Sequence, residues 1–96
     1  MKTLPLTYTA NGYLHKQIKR EEDIAIYVTI EPLSNRIIGY EVFRIVKQIA
    51  KTVFRQLLED KEMTPGNSLW GFNAFSPSTL KQAIVRFEQL KSATIK

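Results

Sequence analysis

Apolar and polar residues alternate along the first half of the chain with the two-residue period of β-strands. The alternation is loose over residues 13–20 and regular over residues 24–30, where every second residue is isoleucine or valine. The short charged stretch between the two runs predicts an antiparallel hairpin. Pro32 and the polar residues after it end the second strand, because proline has no N–H to donate to a strand ladder.

The middle of the chain fits two patterns. β-Branched and aromatic residues over 36–47 predict a third strand, which the hairpin needs because an isolated two-stranded sheet is marginally stable. A helix over 41–60 is the competing prediction, because apolar residues also recur there at helical spacing. That stripe consists of Val42, Ile45, Val46, Ile49, Ala50, Val53, Phe54, Leu57 and Leu58. We favour the strand to about residue 47 and expect a helical turn or an irregular strand over 49–63.

The last third of the chain contains a turn, an aromatic run and a helix. Proline and glycine within 64–68 predict a turn, and the aromatic run 69–75 is suited to a fourth strand. Ser76 is a good N-cap and Pro77 a good first helical residue, so a helix is predicted over 77–91. Its apolar stripe consists of Leu80, Ala83, Ile84, Phe87 and Leu90.

These elements predict one α+β domain over residues 1–96. An antiparallel meander of three or four strands carries the C-terminal amphipathic helix on one face. A chain of 96 residues has room for one domain. Residues 1–11 and 92–96 are expected to be flexible.

Composition excludes several classes of function. The chain has no cysteine and one histidine, which excludes disulfide scaffolds, thiol nucleophiles and histidine-rich metal sites. It has no phosphate-binding glycine loop and no apolar run long enough for a signal peptide or a membrane span. We therefore expect a cytoplasmic protein that is not an enzyme and that binds no cofactor, metal or membrane. An enzyme would need a pocket lined by Glu41, His15 or Tyr40.

The basic residues favour nucleic acid as a partner. Fourteen Lys and Arg against nine Asp and Glu give a net charge of +5. If the helix covers the isoleucine face of the second strand, the opposite face is open and carries a mixture of aromatic, amide and cationic groups that suits phosphates and bases. Those residues are Tyr13, His15, Gln17, Lys19, Tyr27 and Thr29. The nucleic-acid-binding candidates are Lys16, Lys19, Arg20, Tyr27, Arg36 and Arg44. The competing interpretation is a solvated face with a charge that maintains solubility.

A protein-interaction module is the alternative function, as a small inhibitor or a homo-oligomer. The segment 49–58 contains more apolar surface than one short helix covers. The interface candidates are Phe54, Leu58 and Trp70. For Trp70 the favoured position is the core beneath the helix, where aromatic residues contribute most to packing, and an exposed interface position is the alternative.

The chain also resembles small uncharacterised proteins of bacterial mobile elements. The resemblance rests on Tyr40-Glu41-Val42, Pro65-Gly66-Asn67, Trp70-Gly71 and the amphipathic helix from Leu80 to Leu90. It spans about residues 13–90 and implies a fold, not an activity. More loosely, strands followed by a capped helix are similar to the DNA-binding domains of ethylene-response factors and to the arm-binding domains of tyrosine integrases. That similarity implies DNA contact through the sheet.

Overall fold

The protein forms an antiparallel sheet with a helix on one face. The computed structural model describes residues 2–65 and 74–93, apart from the side chains of residues 51, 53, 58 and 93. In these residues the strands are β1 Thr7–Ala10, β2 Tyr13–Glu21, β3 Ile24–Glu31, β4 Arg36–Arg44, β5 Val46–Gln48, β6 Lys51–Val53, β7 Gln56–Leu58, β8 Lys61–Met63 and β9 Ala74–Phe75, followed by helix α1 Leu80–Ala93. The main sheet has the order β1-β2-β3-β4-β9, and β5-β8 and β6-β7 form separate two-stranded sheets. The predicted α+β class is confirmed.

The sheet begins one strand earlier than the sequence pattern predicted. β1 pairs with β2 through a two-residue turn in which Asn11 and Gly12 have φ of 54° and 83°. Asn-Gly is the preferred pair for such a turn, since both residues accept positive φ. Residues 7–10 of the segment that was expected to be flexible thus form β1. Of the predicted flexible segment 92–96, residues 92 and 93 end α1, and residues 94–96 lie outside the described residues.

The predicted third strand is interrupted at Ile45. β4 ends at Arg44, and the Ile45 N–H donates instead to the Asp23 carbonyl at 2.6 Å. The chain then leaves the main sheet as β5, which pairs with β8. Residues 51–63 form three short strands, which agrees with the irregular strand expected there, and the competing helix over 41–60 is wrong. Of the predicted fourth strand, Ala74 and Phe75 form β9 and residues 69–73 lie outside the described residues.

Helix α1 begins three residues later than predicted. The Gln82 N–H donates to Thr79 Oγ1 at 3.2 Å, so Thr79 is the N-cap and the assignment of Ser76 is wrong. The Pro77 carbonyl instead accepts the Tyr40 N–H at 2.9 Å. That bond keeps Pro77 beside β4, outside the helix.

Both faces of the main sheet are covered. On one face α1 buries a core that consists of Ile24, Ile26, Val42, Ala83, Phe87 and Leu90. On the other face a second core consists of Leu4, Ala25, Tyr27, Phe43, Ile45 and Ala74. The expectation that this second face is open is therefore wrong.

The N-terminal segment covers the second face. The Tyr27 hydroxyl donates to the Pro5 carbonyl at 2.7 Å, and the Gln17 N–H donates to the Leu6 carbonyl at 2.8 Å. The Lys2 carbonyl accepts the Glu62 N–H at 2.8 Å. These bonds hold an irregular stretch, with no strand periodicity of its own, against the sheet.

Candidate binding surface

The predicted nucleic-acid-binding residues do not share one face of the sheet. Lys16 lies opposite Val28 in the β2–β3 ladder and therefore points to the face that α1 covers. Lys19 reaches the same face, where its Nζ lies 4.7 Å from the centre of the Phe87 ring. Arg20 points to the opposite face, because its ladder partner belongs to the second core. The predicted basic face is therefore divided between the two sides of the sheet.

Two of the predicted arginines are held in ion pairs. Arg20 donates from both terminal nitrogens to the Glu62 carboxylate, each at 2.6 Å, and the bonds lower the pKa of Glu62 to about 2. Arg44 bonds Asp23 Oδ2 at 3.1 Å and the Leu90 carbonyl at 2.8 Å. Both guanidinium groups therefore join elements of the fold, and only their remaining N–H groups are left for contact with a phosphate.

Tyr27 and Arg36 also lie apart. Tyr27 is 0 % exposed, donates its hydroxyl to the Pro5 carbonyl and accepts from Gln17 Nε2 at 3.0 Å. Burial raises the pKa of this phenol. A ring with no exposed surface cannot stack on a base, so its placement as a surface residue is wrong. Arg36 is exposed at the far end of β4.

His15 has partners that sequence spacing did not reveal. It is 7 % exposed, and its Nδ1 lies 2.8 Å from Glu41 Oε1. The Tyr8 ring stacks on the imidazole with a centroid separation of 4.7 Å, while its hydroxyl lies 3.4 Å from the same carboxylate oxygen. Burial, and then the Glu41 charge, raise the pKa of Tyr8. The cluster links strands β1, β2 and β4, and the expectation of an exposed His15 is wrong.

A hollow of about 270 Å³ lies beside this cluster, and Glu41, His15 and Tyr40 all line it. Ser78 lines it as well, but its hydroxyl donates to Gln82. Thr29 Oγ1 and Glu41 both approach the same imidazole nitrogen, Nδ1. Both contacts therefore hold the ring in position. A hydroxyl nucleophile would have to be hydrogen-bonded to the other ring nitrogen, Nε2, as its base. In the described residues no hydroxyl is hydrogen-bonded to Nε2.

An apolar groove runs between α1 and the sheet. Ile26 and Val28 form its floor, and its volume is about 470 Å³. Six further residues form its walls: Ile18, Lys19, Ile37, Tyr40, Leu80 and Ile84. Four of these, Ile18, Ile37, Leu80 and Ile84, are between 43 % and 54 % exposed. Clustered aliphatic exposure of this kind marks interaction surfaces in folded proteins.

The groove exists because α1 contacts the sheet through a narrower stripe than predicted. Ala83, Phe87 and Leu90 are buried, with spacings of four and three residues. Leu80 and Ile84 belong to the predicted stripe but lie at its margin, 44 % and 43 % exposed. The Ile18 side chain adds to the opening, since β2 is irregular between Gln17 and Lys19.

Positive charge lies beside the groove. Lys19 lines it and Lys16 is exposed on the same face of the sheet, whereas Lys81 lines a separate hollow with Phe75 and Arg86. The first turn of α1 contains no acidic residue, so the partial positive charge of the helix N-terminus is not compensated within that turn. The acidic residues nearby lie toward the C-terminal end of α1. Glu88 is in the C-terminal half of the helix, and Glu21 of β2 bonds Lys91 at 2.9 Å. The groove therefore combines apolar walls with a basic rim.

The β6–β7 hairpin carries Phe54, the interface candidate whose side chain the structure describes. Phe54 is 99 % exposed at its tip, and Leu57 is 69 % exposed. Leu58 lies in β7, but its side chain and the whole of Trp70 are outside the described residues. β6 and β7 pair with each other in a separate two-stranded sheet. Phe54 is therefore displayed away from both cores.

A further hollow, of about 730 Å³, lies on the other side of α1. The Arg86 guanidinium lies 4.4 Å from the centre of the Phe75 ring there and covers the aromatic floor. Most of its other lining residues are polar, including Thr79, Gln82 and Gln89. It is therefore a weaker apolar binding surface than the groove.

Sequence reasoning missed the groove, although all of its aliphatic residues were visible in the sequence. In the parts of the chain that the structure describes, no group of three metal-ligating side chains comes together. None of the described helices has the length and apolar composition of a membrane span.

The comparisons with known proteins add no relative. No protein-family model, no curated protein and no solved structure matches the chain.

Proposed function

We propose that the protein is a non-enzymatic binding module whose groove beside α1 recognises an acidic, apolar segment of a partner protein. The observation that carries this proposal is the cluster of four half-exposed aliphatic side chains, Ile18, Ile37, Leu80 and Ile84, around one concave surface. Burial of that surface by a partner is favourable at about 25 cal/mol per Å² of apolar area.

The rim determines the chemistry of the partner. Lys16 and Lys19 attract carboxylates and repel a basic segment. Lys19 is already positioned, since its Nζ lies over the Phe87 ring. A partner segment with two or three large apolar side chains flanked by Asp or Glu matches both the walls and the rim.

Nucleic-acid binding through the sheet receives less support. Tyr27 is buried, and Arg20 and Arg44 are engaged in ion pairs. The remaining candidates, Lys16, Lys19 and Arg36, do not form one patch. We therefore favour the protein-interaction alternative, with the groove as its site.

A peptide-display selection tests the proposal. Random peptides of about twelve residues are selected on the wild-type protein and on Ile84→Asp, which places a charge on the groove wall. Val85→Asp is the matched control, because Val85 is 51 % exposed on α1 and lies outside the groove. We expect wild type and Val85→Asp to enrich the same acidic, apolar sequences and Ile84→Asp to lose them. Equal enrichment on all three proteins, or enrichment of basic sequences, would contradict the proposal.

A further inference from the structure

The β6–β7 hairpin has a local geometry that its sequence does not favour. Phe54 and Arg55 are the two central residues of its turn, and both have positive φ, 50° and 65°. Two-residue turns of this type prefer Asn-Gly, because a side chain at positive φ is strained. The first hairpin of the same protein has that preferred pair at Asn11 and Gly12. Strained positions of this kind cluster at functional sites.

The hairpin displays both apolar and cationic groups. Phe54 is 99 % exposed and Arg55 is exposed beside it. From residue 49 to residue 58 the chain contains Lys51 and Arg55 but no aspartate or glutamate. The acidic residues begin with Glu59, directly after β7, followed by Asp60, which accepts the Ala50 N–H, and Glu62, which is paired with Arg20. The segment 49–58 therefore has a formal charge of +2, and Arg55 is the cation at its exposed tip.

We propose that the β6–β7 hairpin is a nucleic-acid-contacting arm, in which Arg55 contacts the phosphate backbone and Phe54 packs against the bases. A two-stranded ribbon fits a groove of duplex DNA, and proteins that insert a ribbon or an arm often place an apolar wedge between base steps. Charge complementarity favours this partner, since both charged residues of the segment 49–58 are cations and the ligand is a polyanion.

This site is separate from the groove. The hairpin pairs with no strand of the main sheet, and none of its residues lines the groove. The two surfaces therefore allow one molecule to hold an acidic protein segment and a nucleic acid together. The inference does not depend on the proposed function, and either can fail alone.

Fluorescence anisotropy with a labelled duplex of about 20 base pairs, between about 50 mM and 200 mM salt, tests the inference. For Phe54→Ala we expect about ten-fold weaker binding with the same salt dependence, because a wedge carries no charge. For Arg55→Ala we expect weaker binding and a salt slope smaller by about one, because one phosphate contact is lost. The double variant Phe54→Asn, Arg55→Gly installs the preferred turn residues, so it keeps the hairpin folded and should lose both contributions.

Two matched controls lie at the turn between β3 and β4, in the main sheet. Leu33 is 96 % exposed and Arg36 is exposed near it, so Leu33→Ala and Arg36→Ala remove the same kinds of group outside the arm. We expect both controls, and Ile84→Asp in the groove, to bind DNA as the wild type does. Equal loss in the controls and the arm variants, no binding tighter than about 10⁻⁴ M, or binding to anionic phospholipid vesicles without binding to DNA would overturn the inference.

Discussion

The Arg20 guanidinium and the Glu62 carboxylate are joined by two hydrogen bonds of 2.6 Å each, across 42 residues of sequence. The same carboxylate accepts the Leu4 N–H at 3.1 Å, and the Glu62 side chain is 6 % exposed. One acidic group therefore links the main sheet, the N-terminal segment and the second sheet at β8.

Removal of the charge from this group should loosen the second face of the sheet. We expect Glu62→Gln to lower the free energy of unfolding by about 1–3 kcal/mol, because hydrogen bonds to a charged group are the stronger ones. Urea denaturation measures the change. Glu88→Gln, at an exposed position on α1, should change stability by less than about 0.5 kcal/mol. Equal effects from the two variants would contradict a structural role for the pair.

The free energy of unfolding should also fall at low pH, because the Glu62 carboxylate becomes protonated. Arg20 lowers the pKa of Glu62 in the folded protein from its ordinary 4.5 to about 2. The unfolded chain therefore takes up the proton more readily, and the contribution present above about pH 4.5 is lost as the pH falls toward 2. We expect the difference in unfolding free energy between wild type and Glu62→Gln to shrink over that range. A difference that stays constant with pH would show that the pair does not act through this ionisation.

The start of α1 provides a test of the observed cap. Thr79→Ala removes the acceptor of the Gln82 N–H and should cost about 1 kcal/mol. Ser76→Ala is the matched control, because Ser76 is exposed and precedes the helix by four residues. Thermal unfolding followed by circular dichroism distinguishes them. A larger loss from Ser76→Ala would support the cap that the sequence predicted.

The burial of Tyr27 is tested by removal of its hydroxyl. Tyr27→Phe deletes the bond to the Pro5 carbonyl and leaves Gln17 Nε2 without this acceptor, so we expect a loss of about 1–2 kcal/mol. Tyr13 is 38 % exposed, and Tyr13→Phe should change stability little. Hydrogen exchange of the Gln17 N–H, which donates to the Leu6 carbonyl, should speed up in the first variant alone. Unchanged stability in Tyr27→Phe would contradict the second core.

Local patterns predicted the elements that depend on local spacing. The runs that became β2 and β3 were visible from their alternation, and the C-terminal helix was visible from its stripe. β1 has its own local signal, the Asn11-Gly12 turn, and could have been predicted from it. The resemblance to mobile-element proteins stays a prediction.

Contacts between distant residues account for what the sequence did not predict. Tyr27 is buried because Leu4 and Pro5 lie over it, and neither belongs to a periodic element. Arg20 was expected to be free because Glu62 is far away in sequence. The groove depends on which residues of α1 touch the sheet. Helical periodicity identifies the apolar side of α1 but not which residues at the margin of the stripe are buried.

The affinity of the groove for one peptide in two charge states tests the central claim most directly. The probe is the acidic, apolar peptide that the wild-type protein enriches most, compared with the same peptide in which every Asp and Glu is replaced by Lys. Titration calorimetry should give micromolar binding of the acidic form, at least about ten-fold weaker binding of the basic form, and a similar loss of the acidic form with Ile84→Asp. Equal affinities for the two peptides, or unchanged affinity in Ile84→Asp, would contradict the assignment of the groove as an acceptor of acidic protein segments.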